Sequence, residues 1–139
     1  RYKANEEIIK NSHNVLAAIC SFIQSGAMAI DLLNPAFFTD MRKYHNDIWV
    51  MATKQQNEKN YNLAYRLLRK GINEEIFRKD INIDIVVKLI LEQMKLLVDN
   101  EVFSSDKYSR SEVFKNMVIN FIRGIATNRG IGLIDSFES

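Results

Sequence analysis

Ile85-Val-Val-Lys-Leu-Ile-Leu-Glu-Gln-Met-Lys-Leu-Leu-Val98 is the stretch that decides the fold. Laid on a helix at about 100° per residue, Lys88, Glu92 and Lys95 fall on one narrow strip that Asp99 continues. Everything else but Gln93 is apolar: Ile85, Val86, Val87, Leu89, Ile90, Leu91, Met94, Leu96, Leu97 and Val98 cover an arc of about 240°, against roughly 100° for a helix with one buried side. The next helix, 110–127, behaves the same way. Its polar strip holds Glu112, Asn116, Asn120, Arg123 and Thr127, and Val113, Phe114, Met117, Val118, Ile119, Phe121, Ile122 and Ile125 fill the rest. One core needs only part of each arc, and each large apolar side chain left in water forgoes roughly 1.5–3 kcal/mol. Either both helices are central in the subunit or both have a second apolar partner. In the second case a neighbouring pair joined by one loop forms a four-helix bundle with its own copy across a two-fold axis. The dimer face then reads as Val86, Ile90, Met94 and Leu97 with Phe114, Met117, Phe121 and Ile125.

Outward from this pair the chain reads as helix throughout, with helices expected at 1–11, 13–33, 35–45, 47–70, 83–98 and 110–127, a turn at 73–77 and a further short helix in the 129–138 tail. The longest loop is Asn100–Ser109. Asn34-Pro35 is an N-cap followed by proline at the first helical position, where its missing N–H is harmless. Gly71 reads as a helix end, with Leu67 and Ile72 as the contact of a Schellman cap. Asn82 caps the next helix with Ile81 and Val86 as its staple; Ser109 and Glu112 form a capping box with Tyr108 and Val113 beside it. Glu74-Glu75 reads as a pair of solvated helix-start charges.

The 139 residues include a single proline and five glycines, too few breakers for a strand-and-turn fold, and suit one domain spanning 1–139. A net charge of +2, with no run of five basic residues, gives no basis for nucleic-acid binding by the chain itself. Val15–Leu33 is the most apolar run, but Ser21, Gln24, Ser25 and Asp31 interrupt it, so it reads as a buried central helix rather than a membrane span. One of its faces carries Val15, Leu16, Ile19, Phe22, Ile23, Ile30 and Leu33; the small or weakly polar opposite face suits either close packing or a pocket wall. No secretory signal is visible, and Arg1–Lys10 reads as the continuation of a helix begun upstream. Cys20 stands alone in an apolar stretch, which fits a reducing, cytoplasmic setting and an inert core thiol.

No catalytic constellation or metal site is expected. His13 and His45 are far apart, and Asp40 and Asp47 do not complete a one-face ligand set around His45. There is no H-E-x-x-H, no phosphate-binding glycine loop and no G-x-S-x-G. The polar-tipped aromatics Tyr44, Trp49 and Tyr65, with Phe22, Met28 and Gln93, are the candidate contacts for a small, largely apolar ligand. Gln93 must find hydrogen-bond partners, whether across a dimer, in a cavity or on its own helix.

Three segments carry a family resemblance. Gly71-Ile-Asn-Glu-Glu-Ile-Phe-Arg-Lys-Asp80-Ile-Asn-Ile-Asp-Ile-Val86 resembles the link that precedes the first dimerisation helix of tetracycline-repressor (TetR) family regulators. Asn34-Pro-Ala-Phe-Phe-Thr-Asp-Met-Arg-Lys-Tyr44, followed by Trp49, is similar to the middle of C-terminal domains from Bacteroidetes members. Phe103-Ser-Ser-Asp-Lys-Tyr108 and Val118-Ile-Asn-Phe-Ile-Arg-Gly-Ile-Ala126 resemble their last helix. The resemblance implies an all-α antiparallel bundle that dimerises through its last two long helices. It also implies an effector cavity among the earlier helices, no cofactor and no enzymatic activity. Operator DNA would be bound only by an N-terminal helix-turn-helix head that these residues lack, with 1–11 as the end of the helix leading from it. The rival readings are a free-standing helical module that binds another protein, and a small helical enzyme or haem or metal bundle.

Overall fold

The computed structural model describes residues 2–22, 35–99 and 101–138. They form α1 (Tyr2–Asn11), α2 (15–22), α3 (Pro35–Tyr44), α4 (Asn46–Asn73), α5 (Ile83–Lys95), α6 (Arg110–Ile125) and α7 (Asn128–Glu138), and a single 3₁₀ turn, Leu96–Val98, extends α5. Among the described residues there is no strand, only an isolated antiparallel bridge between Phe77 and Ala126. The all-α reading holds. Residues 23–33 of the helix expected over 13–33, and the cap expected at Asn34, lie outside the described residues.

The helix starts follow local chemistry. Asn14 Oδ1 accepts from the Ala17 N–H (2.9 Å) at the head of α2, Asn82 Oδ1 from the Ile85 N–H (3.2 Å) at the head of α5, and Ser109 Oγ from the Glu112 N–H (3.4 Å) at the head of α6. Each satisfies one of the amide groups that a helix start leaves without a partner. Pro35 is the first helical residue of α3, as its ring geometry favours.

The end of α4 differs from the expectation. Gly71 does not terminate the helix, which runs on to Asn73; the left-handed residue is Glu75 at φ 61°. The Ile76 N–H donates to the Gly71 carbonyl (2.9 Å) and the Glu75 N–H to Ile72 (3.0 Å), which is the Schellman pattern placed four residues later. Gly71 is glycine for space: a Cβ there would lie 2.2 Å from the Phe77 ring. Glu75 is exposed, as read, but Glu74 is not an idle solvated charge. Glu74 Oε1 accepts the Val15 N–H (2.8 Å) while its other oxygen pairs with Lys70 (2.9 Å), tying the end of α4 to the start of α2.

The turn after α4 is then fastened to the α6–α7 junction. Ala126 leaves the helix for extended backbone, two residues short of the expected end. The Arg78 N–H donates to the Ile125 carbonyl, and the Thr127 N–H to Ile76, both at 2.9 Å. Thr127, expected on the polar strip of the preceding helix, caps α7: its Oγ1 accepts the Gly130 N–H (3.0 Å) and donates to the Glu75 carbonyl (2.7 Å). The core gathers here, with Val15, Leu16, Leu68, Ile76, Phe77, Val87, Ile122 and Ile134 buried together.

Gly130 and Gly132 make a matched pair for testing this junction. A Cβ on Gly130 would lie 2.2 Å from the backbone oxygen of Ile76, whereas one on Gly132 meets nothing within 4 Å. Gly132→Ala is expected to stabilise the fold by up to about 1 kcal/mol through helix propensity. Gly130→Ala is expected to destabilise it by about 1–3 kcal/mol, because a backbone carbonyl cannot step aside. Urea denaturation of the two variants checks the sign of each.

Candidate functional site

Packing divides the apolar arc of α5 between two sides. Ile83, Val86 and Val87 point into the core, with Ile90 and Leu91 packed against them. One position before Val86, Ile90 and Leu97, Ile85 is 54% exposed, Leu89 48% and Leu96 39%. With half-buried Gln93 these make a line at spacings of four, four and three along the outer side of α5 and its 3₁₀ extension. On α6, Phe114, Ile122 and Ile125 are buried, while Val113, Met117, Asn120 and Gly124 follow one another at four, three and four, half-buried or exposed. The later part of the α5 line and Val113, Met117 and Asn120 of the α6 line border an open groove of about 660 Å³. Its walls include Gln93, Leu96, Met117, Asn120 and Phe121, and its end is closed by Phe103 and Tyr108 from the intervening loop. The two rings meet edge-on, centroids 5.4 Å apart. The groove is mainly apolar, and its polar groups are the amides of Gln93, Asn116 and Asn120, the hydroxyls of Tyr108 and Ser109, and the Glu112 carboxylate.

The residues read as dimer contacts therefore fall into two groups. Val86, Leu97, Phe114 and Ile125 are already covered inside the subunit, Leu97 and Phe114 as a small cluster of their own. Ile90, Met94, Met117 and Phe121 keep part of their surface. The outer line of α5 runs one residue earlier than the sequence reading drew it, a rotation of about 100°.

The residues read as ligand contacts are not brought together. Met28 lies outside the described residues. Phe22 is half-buried in α2, and Tyr44 is exposed at the end of α3. Trp49 stands in an open groove of about 740 Å³ between α4 and α5 with Tyr61, Lys88 and Leu91. Tyr65 borders a smaller depression of about 470 Å³ lined by Arg66, Arg69 and Lys70. Its ring stacks on Tyr61 (6.1 Å) and under the Arg69 guanidinium (5.8 Å). Gln93 belongs to the α5–α6 groove.

One polar contact fixes α4 on α5. The Tyr61 hydroxyl donates to Asp84 Oδ1 (2.7 Å), and Lys88 Nζ lies 3.3 Å from the other oxygen. These partners hold the Asp84 carboxyl below its ordinary value, the Tyr61 bond more than Lys88, and the same bond pushes the Tyr61 hydroxyl up. A depressed carboxylate contributes stability above its unfolded pKa and loses it as pH falls through the folded value. Tyr61→Phe is thus expected to lower the urea midpoint at about pH 7, and the gap from the parent should narrow as pH falls below the ordinary carboxyl value of 3.8. An equal gap on both sides of that value contradicts this assignment.

Two features had no sequence signal. Arg110 is buried at the first position of α6, where a basic residue reads as solvated surface. Arg123 pairs with Asp135 across the α6–α7 junction. Cys20 is half-exposed rather than core, and burial pushes its thiol up, away from the reactive thiolate. Among the described residues no three His, Cys, Asp or Glu side chains gather as a metal site, and no helix is long and apolar enough to cross a membrane.

No protein-family model matches the chain, and no curated protein sequence does. Among solved structures, the ketosteroid transcriptional regulator KstR2 of Mycobacterium tuberculosis is similar to it, with a TM-score of 0.68 at 16% sequence identity, over 89% of this chain. This chain spans 64% of the length of that one. An identity this low speaks for architecture alone: the chain shares the all-α fold of that regulator.

Proposed function

We propose that this chain is the effector-sensing and homodimerisation part of a bacterial, cytoplasmic TetR-like transcriptional regulator. Two copies join through the outer lines of α5 and α6 into a four-helix bundle. The operator is bound by an N-terminal helix-turn-helix outside these residues, and α1 is the end of the helix leading to it. A small, largely apolar effector shifts the balance between dimer geometries, by as much as its affinities for them differ.

The observation that carries this reading is the exposure of Ile85, Leu89 and Leu96 on a helix whose other side packs on the core. Gly124 adds support. It lies in the last turn of α6, and a Cβ there would meet nothing within 4 Å in the subunit. Close approach of a second helix would give its absence a purpose. For the effector, Trp49 of the sequence-derived set stands in a groove of ligand size between α4 and α5, with Tyr61 and Leu91 beside it.

The experiment joins a DNA-binding head that grips its operator only as a dimer to the N-terminus of the chain. Operator binding by the fusion, and its loss on Leu89→Glu, is the expected result. A fusion that stays monomeric and does not bind removes the proposal. The alternative, a free-standing module that binds another protein, rests on Tyr44, Ile48, Val50 and Met51, which are exposed together around the α3–α4 joint. It predicts that the fusion is monomeric.

A further inference from the structure

The apolar face formed by α5 and α6 carries three amide side chains where a purely adhesive surface would carry none. Gln93, Asn116 and Asn120 line the same groove as Met117 and Phe121. Asn116 Nδ2 donates to the Glu112 carbonyl (2.8 Å), which orients that amide and leaves its oxygen available. The Gln93 and Asn120 amides make no side-chain hydrogen bond among the described residues. We infer that these amides pair with those of a second copy of the chain and fix the register and identity of the dimer; the inference rests on the dimer reading above.

The chemistry favours a second copy as the occupant. On a two-fold axis a residue faces its own image, and away from it each pair of facing residues occurs twice. A lysine or glutamate near the axis would be repelled by its own image, whereas an amide carries donors and an acceptor and complements itself or another amide; the one carboxylate of the groove, Glu112, is exposed. Sliding one copy along the other would set amides against methionine and phenylalanine and leave them buried without partners, a cost that apolar side chains do not impose. The aligned register is thereby selected over its neighbours, as a single buried asparagine selects register in a coiled coil.

The test uses the chain with Cys20→Ser and a spin label at Lys115→Cys, exposed on α6 and outside the groove. Label-to-label distances are measured for this parent, for Asn120→Leu, for Gln93→Leu and for Asn120→Gln. The parent and Asn120→Gln are expected to give one narrow distance. The two leucine variants are expected to keep the helical circular dichroism of the parent, to dimerise at least as tightly, and to give a broadened or split distribution. One narrow distance in both leucine variants, whatever their affinity, overturns the register assignment and leaves the dimer standing. A monomeric parent overturns the dimer reading itself, and the amides' assignment with it.

Discussion

Phe77→Ala is expected to lower the melting temperature by roughly 10–20 °C, the size of shift that a loss of about 3–5 kcal/mol produces in a chain of this length. The ring is 1% exposed and lies directly on the backbone of Gly71. It also sits on the only backbone bridge that joins the α4–α5 turn to the α6–α7 junction among the described residues. Removing it leaves a cavity between segments that hydrogen bonds from Arg78 and Thr127 hold at fixed spacing, so collapse around the gap is restricted and the cost should fall in the upper part of the usual range. A second substitution isolates the contact. Gly71→Ala alone places a methyl group 2.2 Å from the ring and should destabilise the protein. In the Phe77→Ala background the same change meets open space and should be neutral or stabilising by up to about 1 kcal/mol. Additive losses in the double variant would mean that the two residues do not act on each other.

Leu89→Glu is expected to raise the dimer dissociation constant by two to four orders of magnitude. Each copy would lose roughly 1.5–3 kcal/mol of buried apolar surface, symmetry doubles the loss, and each 1.4 kcal/mol is about tenfold in affinity. Because Leu89 is 48% exposed in the subunit, the fold should change by no more than about 0.5 kcal/mol, and the far-ultraviolet circular dichroism should be that of the parent. Phe121→Glu, the substitution that the sequence alone suggests, is less informative. Phe121 is half-buried and packs on the subunit's own core, so its loss would mix dissociation with unfolding. Dilution-dependent sedimentation of Leu89→Glu checks the prediction, and a dimer of unchanged affinity would place the interface elsewhere.

The sequence carried the helices well because their starts depend on local chemistry. Asn82, Ser109 and Pro35 stand where their side chains or ring geometry dictate. It carried the width of the α5 and α6 arcs but not their rotation. Periodicity says that both sides of a helix are apolar and is silent about which side the neighbouring helix takes, so Val86 and Leu97 read as equivalent to Ile85 and Leu96 although packing separates them. Gly71 shows another limit. A glycine near a helix end serves either a left-handed turn or a close approach, and only the position of Phe77, six residues on, decides between them. The ligand contacts were the least legible, because an aromatic side chain with a polar tip looks the same on a rim, in a stack or in a pocket; Trp49, Tyr65 and Gln93 line three separate depressions.

Sedimentation equilibrium of the unmodified chain over a hundredfold range of concentration bears on the central claim most directly. Two copies joined through α5 and α6 predict a mass twice the 16.2 kDa of the subunit at the upper concentrations. A mass of one subunit throughout, with the helical spectrum intact, would contradict it.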